Sequence, residues 1–344
     1  EDMQATGSGE LDLKLVIPLS TEAPAQVDGT FRFLANQVVI GKGIPPLTDL
    51  NGRIKFTANS VESKGLRANW LGSPMSAEIK AGSDGTVNVT GGGEISVAGL
   101  RNEYPMPLLD HLAGVAKWTG NIRVKKKVPE ILISSSLVGL SSSLPVPFNK
   151  TESESMPLHF ERRAPQPPEA KPVRSRGARA AVPVQASTVD PNLYDTIDLS
   201  LGKIAQSKVQ RRGDKTATEI VRGYLLVNAA SVPVELARLP DRGFQIAVDV
   251  PRVDLDFWRP LMTFSTQTHK TPDDSAHSTG VPVQFKIRAD ELRVFGKRFG
   301  HLNLNGNHTD NIARFTLKTT EVSGDFEWDS RGNGKLTGKI PMFS

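Results

Sequence analysis

Apolar and polar side chains alternate along residues 45–79, and this alternation limits the folds open to the chain more than any other feature. Ile54 and Phe56 are separated by Lys55 and preceded by Arg53. Successive side chains of a β-strand point to opposite faces, so a period of two predicts strands with one apolar and one polar face. The next two segments repeat the pattern, with apolar positions at Leu66, Ala68 and Trp70, then at Met75, Ala77 and Ile79.

Turn-forming residues punctuate these segments, at Asn51 and Gly52, at Gly65, and at Gly72, Ser73 and Pro74. Glycine and asparagine tolerate positive φ, and proline presets φ, so such residues favour turns. The stretch therefore predicts a strand, a turn, a second strand, a turn and a third strand.

The same pattern extends over most of the chain, in roughly twenty candidate strands at the spacing typical of all-β proteins. Asp84-Gly85 and Asn305-Gly306 have the composition of two-residue hairpin turns. Only residues 107–114 and 254–262 predict short helices. We therefore predict an all-β meander of antiparallel strands with a few short helices, rather than βαβ units.

Alternation stops at residues 164–190, which are rich in proline, alanine and arginine. A segment of this composition is typical of a linker or a disordered insert. The sequence thus predicts one β segment over residues 1–163, the insert over 164–190, and a second β segment over 191–344.

Composition excludes several functions. The chain has no cysteine, so disulfides and thiolate metal sites are excluded. Its net charge of +5 is concentrated in short clusters at residues 125–127, 162–163, 174–179 and 211–212. The cluster at 174–179 has a charge suited to anionic headgroups or nucleic acid, but the insert contains no aromatic residue on which bases could stack. We predict no nucleic-acid partner.

No group of residues predicts catalysis. Walker A, G-x-S-x-G and H-E-x-x-H patterns are absent. Glu327 and Asp329 flank Trp328 as a solvated pair on the outward face of a strand. A possible metal-ligand set occurs in a polar loop that we interpret as a floppy surface loop, at His269, Asp273, Asp274 and His277. We predict no enzyme, no cofactor and no metal site.

The longest uncharged run, residues 131–148, is serine-rich and contains two prolines. A membrane-spanning helix needs about 20 mostly apolar residues, so this run does not predict one. The chain begins without an initiator methionine or a signal peptide. We interpret it as a fragment of a longer protein.

Six segments carry a resemblance to a known family. Residues 43–57, 65–74, 107–120 and 137–150 resemble the bacterial AsmA-like family in its YhdP branch, and residues 293–304 and 321–340 are similar to its recurring strand pair. These segments are fold-forming patterns and contain no catalytic signature. The anchoring helix of the family is absent here, and the arginine-rich residues 174–179 are not a pattern of the family.

The resemblance implies a long antiparallel sheet curled into an open, U-shaped groove with an apolar interior. It also implies a periplasmic protein that is anchored to the inner membrane in its full-length form. Members of the family are linked to phospholipid movement between the inner and outer membranes, and they are related to eukaryotic bridge-like lipid transfer proteins. The implied partners are phospholipids, the two membranes and other envelope proteins.

From alternation and resemblance together we expect acyl chains to lie on the apolar face, with no chemical reaction. The groove-lining positions expected from alternation are Ile54, Phe56, Leu66, Trp70, Ile79, Trp118, Phe285, Ile287, Phe326 and Trp328. The alternative is an envelope scaffold or interaction module with a closed β core, in which a second sheet covers the apolar face and sheet edges recruit partners. Whether the apolar face is open or covered distinguishes the two.

Overall fold

The structure, a computed structural model, describes residues 4–18, 26–39, 45–82, 84–125, 128–164, 193–213, 218–228, 238–265, 281–332 and 334–343. Within them the strands are β1 Gln4–Val16, β2 Gln26–Val39, β3 Leu47–Thr57, β4 Val61–Trp70, β5 Ser73–Ala81, β6 Val87–Ser96, β7 Leu112–Lys125, β8 Val128–Ser135, β9 Leu140–Ser142, β10 Leu158–Arg163, β11 Leu193–Leu201, β12 Ala205–Gly213, β13 Thr218–Val227, β14 Gly243–Asp254, β15 Val283–Val294, β16 Lys297–Thr309, β17 Ile312–Lys318, β18 Val322–Asp329 and β19 Lys335–Phe343. The helices are α1 Val97–Glu103, a 3₁₀ helix Pro107–His111 and α2 Leu255–Ser265.

The strands form one long, open, curled sheet, which confirms the predicted fold class. Each strand pairs with the next along the chain, except that β10 follows β8 and the short β9 pairs with the first residues of β7. Among the described residues, β1 pairs only with β2 and β19 only with β18, so these two strands are the edges. The described strands do not form the second, covering sheet of a sandwich.

The pairing of β10 with β11 joins the two predicted β segments into the same sheet. Residues 165–192, which include nearly all of the predicted insert, lie outside the described residues. The sheet ladder therefore continues across the position of the insert.

Two strand pairs depart from the predicted antiparallel meander, because β14 is parallel to both β13 and β15. A parallel pair needs a crossover that returns the chain to the same end of the sheet. Between β14 and β15 this crossover begins with α2. The meander prediction is wrong at these two pairs.

The helices were predicted with mixed success. The helix expected at residues 254–262 is α2, and the Asp254 carboxylate accepts a hydrogen bond from the Phe257 N–H at 3.0 Å. The helix expected at 107–114 is only a 3₁₀ helix that ends at His111, and β7 begins at the next residue, Leu112. The sequence reading missed α1, whose N-cap Ser96 accepts a hydrogen bond from the Gly99 N–H at 3.0 Å.

Some glycines that predicted turns lie inside strands instead. Gly52 and Gly65 occur within β3 and β4, at shifts in strand register, and a Cβ on Gly52 would stand 2.8 Å from the Gly65 carbonyl oxygen. The Asn305-Gly306 turn is also wrong, because both residues lie within β16. Glycine marks β-bulges and close approaches as readily as it marks turns. The hairpin expected at Asp84-Gly85 is confirmed between β5 and β6.

Phenylalanine rings cover several glycines that lie inside strands. Phe56 lies opposite Gly29 in the register, and Phe285 lies opposite Gly306. Further rings cover glycines on adjacent strands in the pairs Phe31 and Gly9, Phe244 and Gly223, and Phe326 and Gly338. An aromatic side chain over a cross-strand glycine packs closely on the sheet and pins the register.

We predict that Gly306→Ala lowers the free energy of unfolding by about 1–3 kcal/mol, because the added methyl group overpacks a filled site. Its Cβ would clash with the Arg314 carbonyl oxygen and would stand 2.6 Å from both Phe285 Cζ and Phe315 Cβ. Urea denaturation monitored by circular dichroism measures the change. Gly65→Ala is the control, since its Cβ would meet nothing within 4 Å. Equal stability of the two variants would contradict the close packing around Gly306.

Candidate functional site

The strand register places all ten predicted groove positions on one face of the sheet, which we call the apolar face. Trp118 and Ile287 even belong to a single row of directly paired residues. That row runs from Trp118 through Ser135, Leu158, Leu201, Ala205, Val227, Val248, Ile287, Leu304 and Leu317. The neighbouring row joins Phe285 to Phe326 through Gly306 and Phe315. The face is therefore continuous from the first half of the chain to the second.

The opposite face is polar along the same strands. Its residues include Arg53, Lys55, Arg67, Glu78, Lys80, Arg123, Glu161, Asp198, Lys208, Asp249, Arg288, Arg314 and Glu327. Such an arrangement makes one face compatible with water and leaves the other to hydrocarbon.

The apolar face lies on the inside of the curl. The rings of Trp70 and Trp118 meet edge to face with centroids 5.6 Å apart, although β5 and β6 separate their strands. In a flat sheet the two strands would be about 14 Å apart. Gly93, which lies opposite Trp118, has no side chain to fill the space between the two rings. The ring contact thus follows from concave curvature of the apolar face.

One side of this concave face is closed by an aromatic cap, formed by His111, Phe148, Phe257 and Trp258. The His111 and Phe257 rings lie 4.7 Å apart, and the Phe148 and Trp258 rings lie 6.0 Å apart. His111 immediately precedes β7, whereas Phe257 follows β14, six strand pairings away. Phe148 also packs on a buried apolar-face cluster of Val227, Val250, Ala289, Leu292 and Leu302. The cap therefore bridges the two arms of the curl at one set of strand ends.

Away from the cap, the apolar face is only partly covered. Leu199 is 42% exposed and Trp328 is 39% exposed. Half-buried positions on this face are Ile54, Phe56, Trp70, Ile79, Trp118, Phe285, Ile287 and Phe326. Leu66 is instead buried, in a cluster with Val38, Leu50 and Ala68. In the described part of the chain no second sheet covers the face.

A cleft with a volume of about 940 Å³ lies along β14–β19. Its lining combines Phe285, Phe315 and Phe326 of the apolar face with polar-face residues such as Gln284, Asn307 and Arg314. Two of the ten predicted groove positions, Phe285 and Phe326, therefore border this cleft.

Three charged residues interrupt the apolar face at the strand ends opposite the cap, and we call them the Arg162–Asp195–Arg211 triad. Arg162 Nε donates to Asp195 Oδ2 at 2.6 Å, and Arg211 donates from Nε to Oδ1 at 2.8 Å and from Nη2 to Oδ2 at 2.5 Å. Both guanidinium groups lie over the Tyr194 ring, at 5.5 Å for Arg162 and 6.0 Å for Arg211.

Asp195 is 1% exposed, yet it stays ionised. Burial raises the pKa of its carboxyl group, but the hydrogen bonds and charges of Arg211 and Arg162 outweigh burial, so the pKa lies below its ordinary value of 3.8. The hydrogen bond to Asp195 in turn raises the pKa of Arg211. Asp195 and Arg211 are therefore charged at neutral pH.

The carboxylates considered for catalysis are ion-paired with arginines. Arg314 Nε lies 2.7 Å from Glu327, and Arg331 Nη2 lies 2.6 Å from Asp329. The hydrogen bonds from Arg331 lower the pKa of Asp329 to about 2. A carboxylate so acidic does not serve as a general acid near neutral pH.

Within the described ranges no group of histidine and acidic residues has a metal-binding arrangement. The loop with His269, Asp273, Asp274 and His277, the basic residues 126–127 and the arginines at 174–179 lie outside the described residues.

The sequence reading missed the triad, although the signal was present. The alternation of Leu158, Phe160 and Arg162 places an arginine on the apolar face, and Asp195 precedes Ile197 and Leu199 in the same way. In the sequence, Arg162 and Arg163 form one of the short basic clusters. In the structure Arg163 instead pairs with Asp198 on the polar face, at 2.5 Å. Neighbours in sequence thus have opposite environments.

Comparison with known proteins gives one match. The family model described as YhdP protein matches residues 1–344. No curated protein and no solved structure matches the chain. Among the described helices, none has the length and apolar character needed to cross a bilayer.

We predict that Asp195→Asn lowers the free energy of unfolding by about 2–3 kcal/mol at pH 7. Breaking a fully buried pair costs about 3–5 kcal/mol, and here the arginine side chains keep 21% and 26% exposure, which screens their charges. Urea unfolding measures the difference. Glu327→Gln, which breaks the exposed Arg314–Glu327 pair on the polar face, is the control and should cost under about 1 kcal/mol.

We expect the stability difference between wild type and Asp195→Asn to depend on pH. Because folding lowers the pKa of Asp195, its contribution is fully present above pH 3.8 and is lost as the pH falls through the lower, folded-state pKa. Unfolding curves at pH 7, 5, 4 and 3 test this. A difference that grows on acidification would contradict the assignment of an ionised carboxylate.

Proposed function

We propose, because the chain belongs to the YhdP protein family across residues 1–344, that its apolar face binds phospholipid and forms one segment of a conduit between the inner and outer membranes. The family indicates an AsmA-like lipid-transport protein of the bacterial envelope. We further propose that this segment lies in the periplasm and belongs to a protein anchored in the inner membrane.

The observation that carries the proposal is a continuous row of paired residues inside an open sheet, all of them apolar except Ser135. The row passes from Trp118 in β7 to Leu317 in β17 through directly paired residues. Acyl chains placed against it would keep a hydrocarbon surface along many strands. Their headgroups would stay near the strand ends and in water, where a charge or dipole is not desolvated.

Burial energetics agree with such a conduit. Each methylene group that leaves water contributes about 0.8 kcal/mol, so one long acyl chain gains on the order of 10 kcal/mol. A gain of this size roughly equals what the chain loses on leaving its bilayer, and transfer is then close to neutral in free energy. Movement along the face needs no chemical step, and we assign the segment no catalytic reaction.

The alternative function, an interaction module, keeps one supporting observation. All thirteen residues of the edge strand β1 are exposed, including Leu11, Leu13 and Leu15. An exposed apolar edge strand is a site for strand addition by a partner. The closed β core of that alternative is not observed among the described strands, so edge pairing would accompany lipid binding rather than replace it.

We predict that Phe56→Asp and Trp70→Asp each reduce co-purifying phospholipid by at least tenfold. A carboxylate against an acyl chain costs more than about 1.4 kcal/mol, which corresponds to a factor of ten. Organic extraction of purified protein followed by mass spectrometry measures the bound lipid. Ser76→Asp is the control, since it makes the same change in charge at an exposed position on the polar face of the nearby strand β5.

A second pair of variants guards against loss of folding. Leu199 is exposed on the apolar face, so Leu199→Asp disturbs little packing, and Ser200→Asp places the charge on the other face. Circular dichroism and urea midpoints verify that each variant folds. If folded Phe56→Asp, Trp70→Asp and Leu199→Asp all retain wild-type amounts of phospholipid, the apolar face is not the binding surface.

A further inference from the structure

We propose that the Arg162–Asp195–Arg211 triad binds the phosphodiester of a phospholipid headgroup and so fixes which way the lipid lies across the apolar face. The inference rests on the proposed function, since it names the polar end of the same ligand. Its evidence is separate, and consists of three charges on a face that is otherwise suited to hydrocarbon.

The hydrogen bonds of the triad leave donors available. In the described part of the chain, Arg162 uses only its Nε for hydrogen bonding, and its side chain keeps 21% exposure. Arg211 bonds Asp195 through Nε and Nη2, and its Nη1 reaches Thr218 Oγ1 at 3.3 Å. Asp195 and the Tyr194 ring thus hold both guanidinium groups in place. Planar guanidinium donors held in this way match the oxygens of a phosphate diester.

The charges favour a single anion. Two arginines and one aspartate sum to +1, and a phosphodiester carries −1, so the occupied site is neutral. Neutrality is important here because the neighbouring positions are apolar, among them Ile131, Ile197 and Val209. An unbalanced charge beside such residues is costly, whereas a paired and hydrogen-bonded one is tolerated.

The position of the triad relative to the cap matches the size of a lipid. The row that contains Arg162 continues to Phe244, near the start of β14. Val250, under the aromatic cap, is six residues further along that strand, a distance of about 20 Å. The hydrocarbon core of a bilayer is about 30 Å thick, so the acyl chains of one leaflet span about 15 Å. A lipid with its phosphate at the triad therefore has room for its tails before the cap.

A purely structural role for the triad predicts something different. In that case the arginines would only neutralise and hydrogen-bond Asp195. Arg162→Gln would then lower stability, because it removes the hydrogen bond from Arg162 Nε to Asp195 Oδ2. It would leave the preference among lipids unchanged. The ligand-binding role predicts a change in which lipids bind.

The experiment compares two fluorescent lipids with identical acyl chains, a phosphatidylglycerol and a diacylglycerol without phosphate. The wild-type protein should bind phosphatidylglycerol about tenfold more tightly, the factor expected for losing one charge-assisted hydrogen-bonded contact. Arg162→Gln should abolish that preference and leave diacylglycerol binding unchanged. Arg163→Gln is the matched control, because it removes the same charge from the next residue, on the opposite face, and should keep the preference.

The outcomes separate the two proposals. If the wild-type protein binds neither lipid, the proposed function fails. If it binds both lipids equally, or if Arg162→Gln keeps the preference, the headgroup site is overturned while the apolar conduit stands. Inorganic phosphate is titrated against bound phosphatidylglycerol in a further arm. Displacement by phosphate at concentrations comparable to the lipid would identify a free-anion site and overturn the headgroup assignment. Loss of preference in Arg162→Gln without such displacement supports it.

Discussion

The hydrogen-bonded ladder between neighbouring strands is the constraint on which the rest of this structure depends. Each pairing keeps directly opposite residues on the same face of the sheet. The apolar face that contains Ile54 and Phe56 therefore continues through successive strands into the second half of the chain. The two parallel pairings around β14 preserve it as well. A sheet built in this way has one polar and one apolar face along its whole length, and among the described residues only the aromatic cap and the segments that carry it pack over part of the apolar face.

The curvature of the sheet gives the apolar face its shape. Glycines at crowded positions leave room for rings from adjacent strands, as Gly306 does for Phe285 and Gly29 does for Phe56. Side chains on the inside of a curl converge, and small residues relieve the crowding. The contact between Trp70 and Trp118 across two intervening strands is a direct consequence. The inner surface is thus a shallow hydrocarbon trough with a packed floor, rather than a closed core.

The trough is different at its two sides. Aromatic residues carried by α2 and by the 3₁₀ helix bridge one set of strand ends, and the Arg162–Asp195–Arg211 triad lies at the other. Hydrocarbon is favoured near the cap, and an anion is favoured near the arginines. Such polarity across the trough suits an amphipathic ligand that lies along the strands and moves from one strand to the next, as proposed above for a phospholipid.

Strand content, the two faces of each strand and the family can be read from the sequence, because a period of two and fold-forming segments are local properties of the chain. The same alternation placed all ten predicted groove positions on one face. Only the folded chain shows that Gly52, Gly65 and Gly306 lie within strands, since a glycine serves equally at a turn, a bulge or a ring-covered site. Tertiary structure alone decided the parallel crossovers and the meeting of Arg162, Asp195 and Arg211. Those residues are far apart in sequence, and only the register of β10, β11 and β12 brings their charges together.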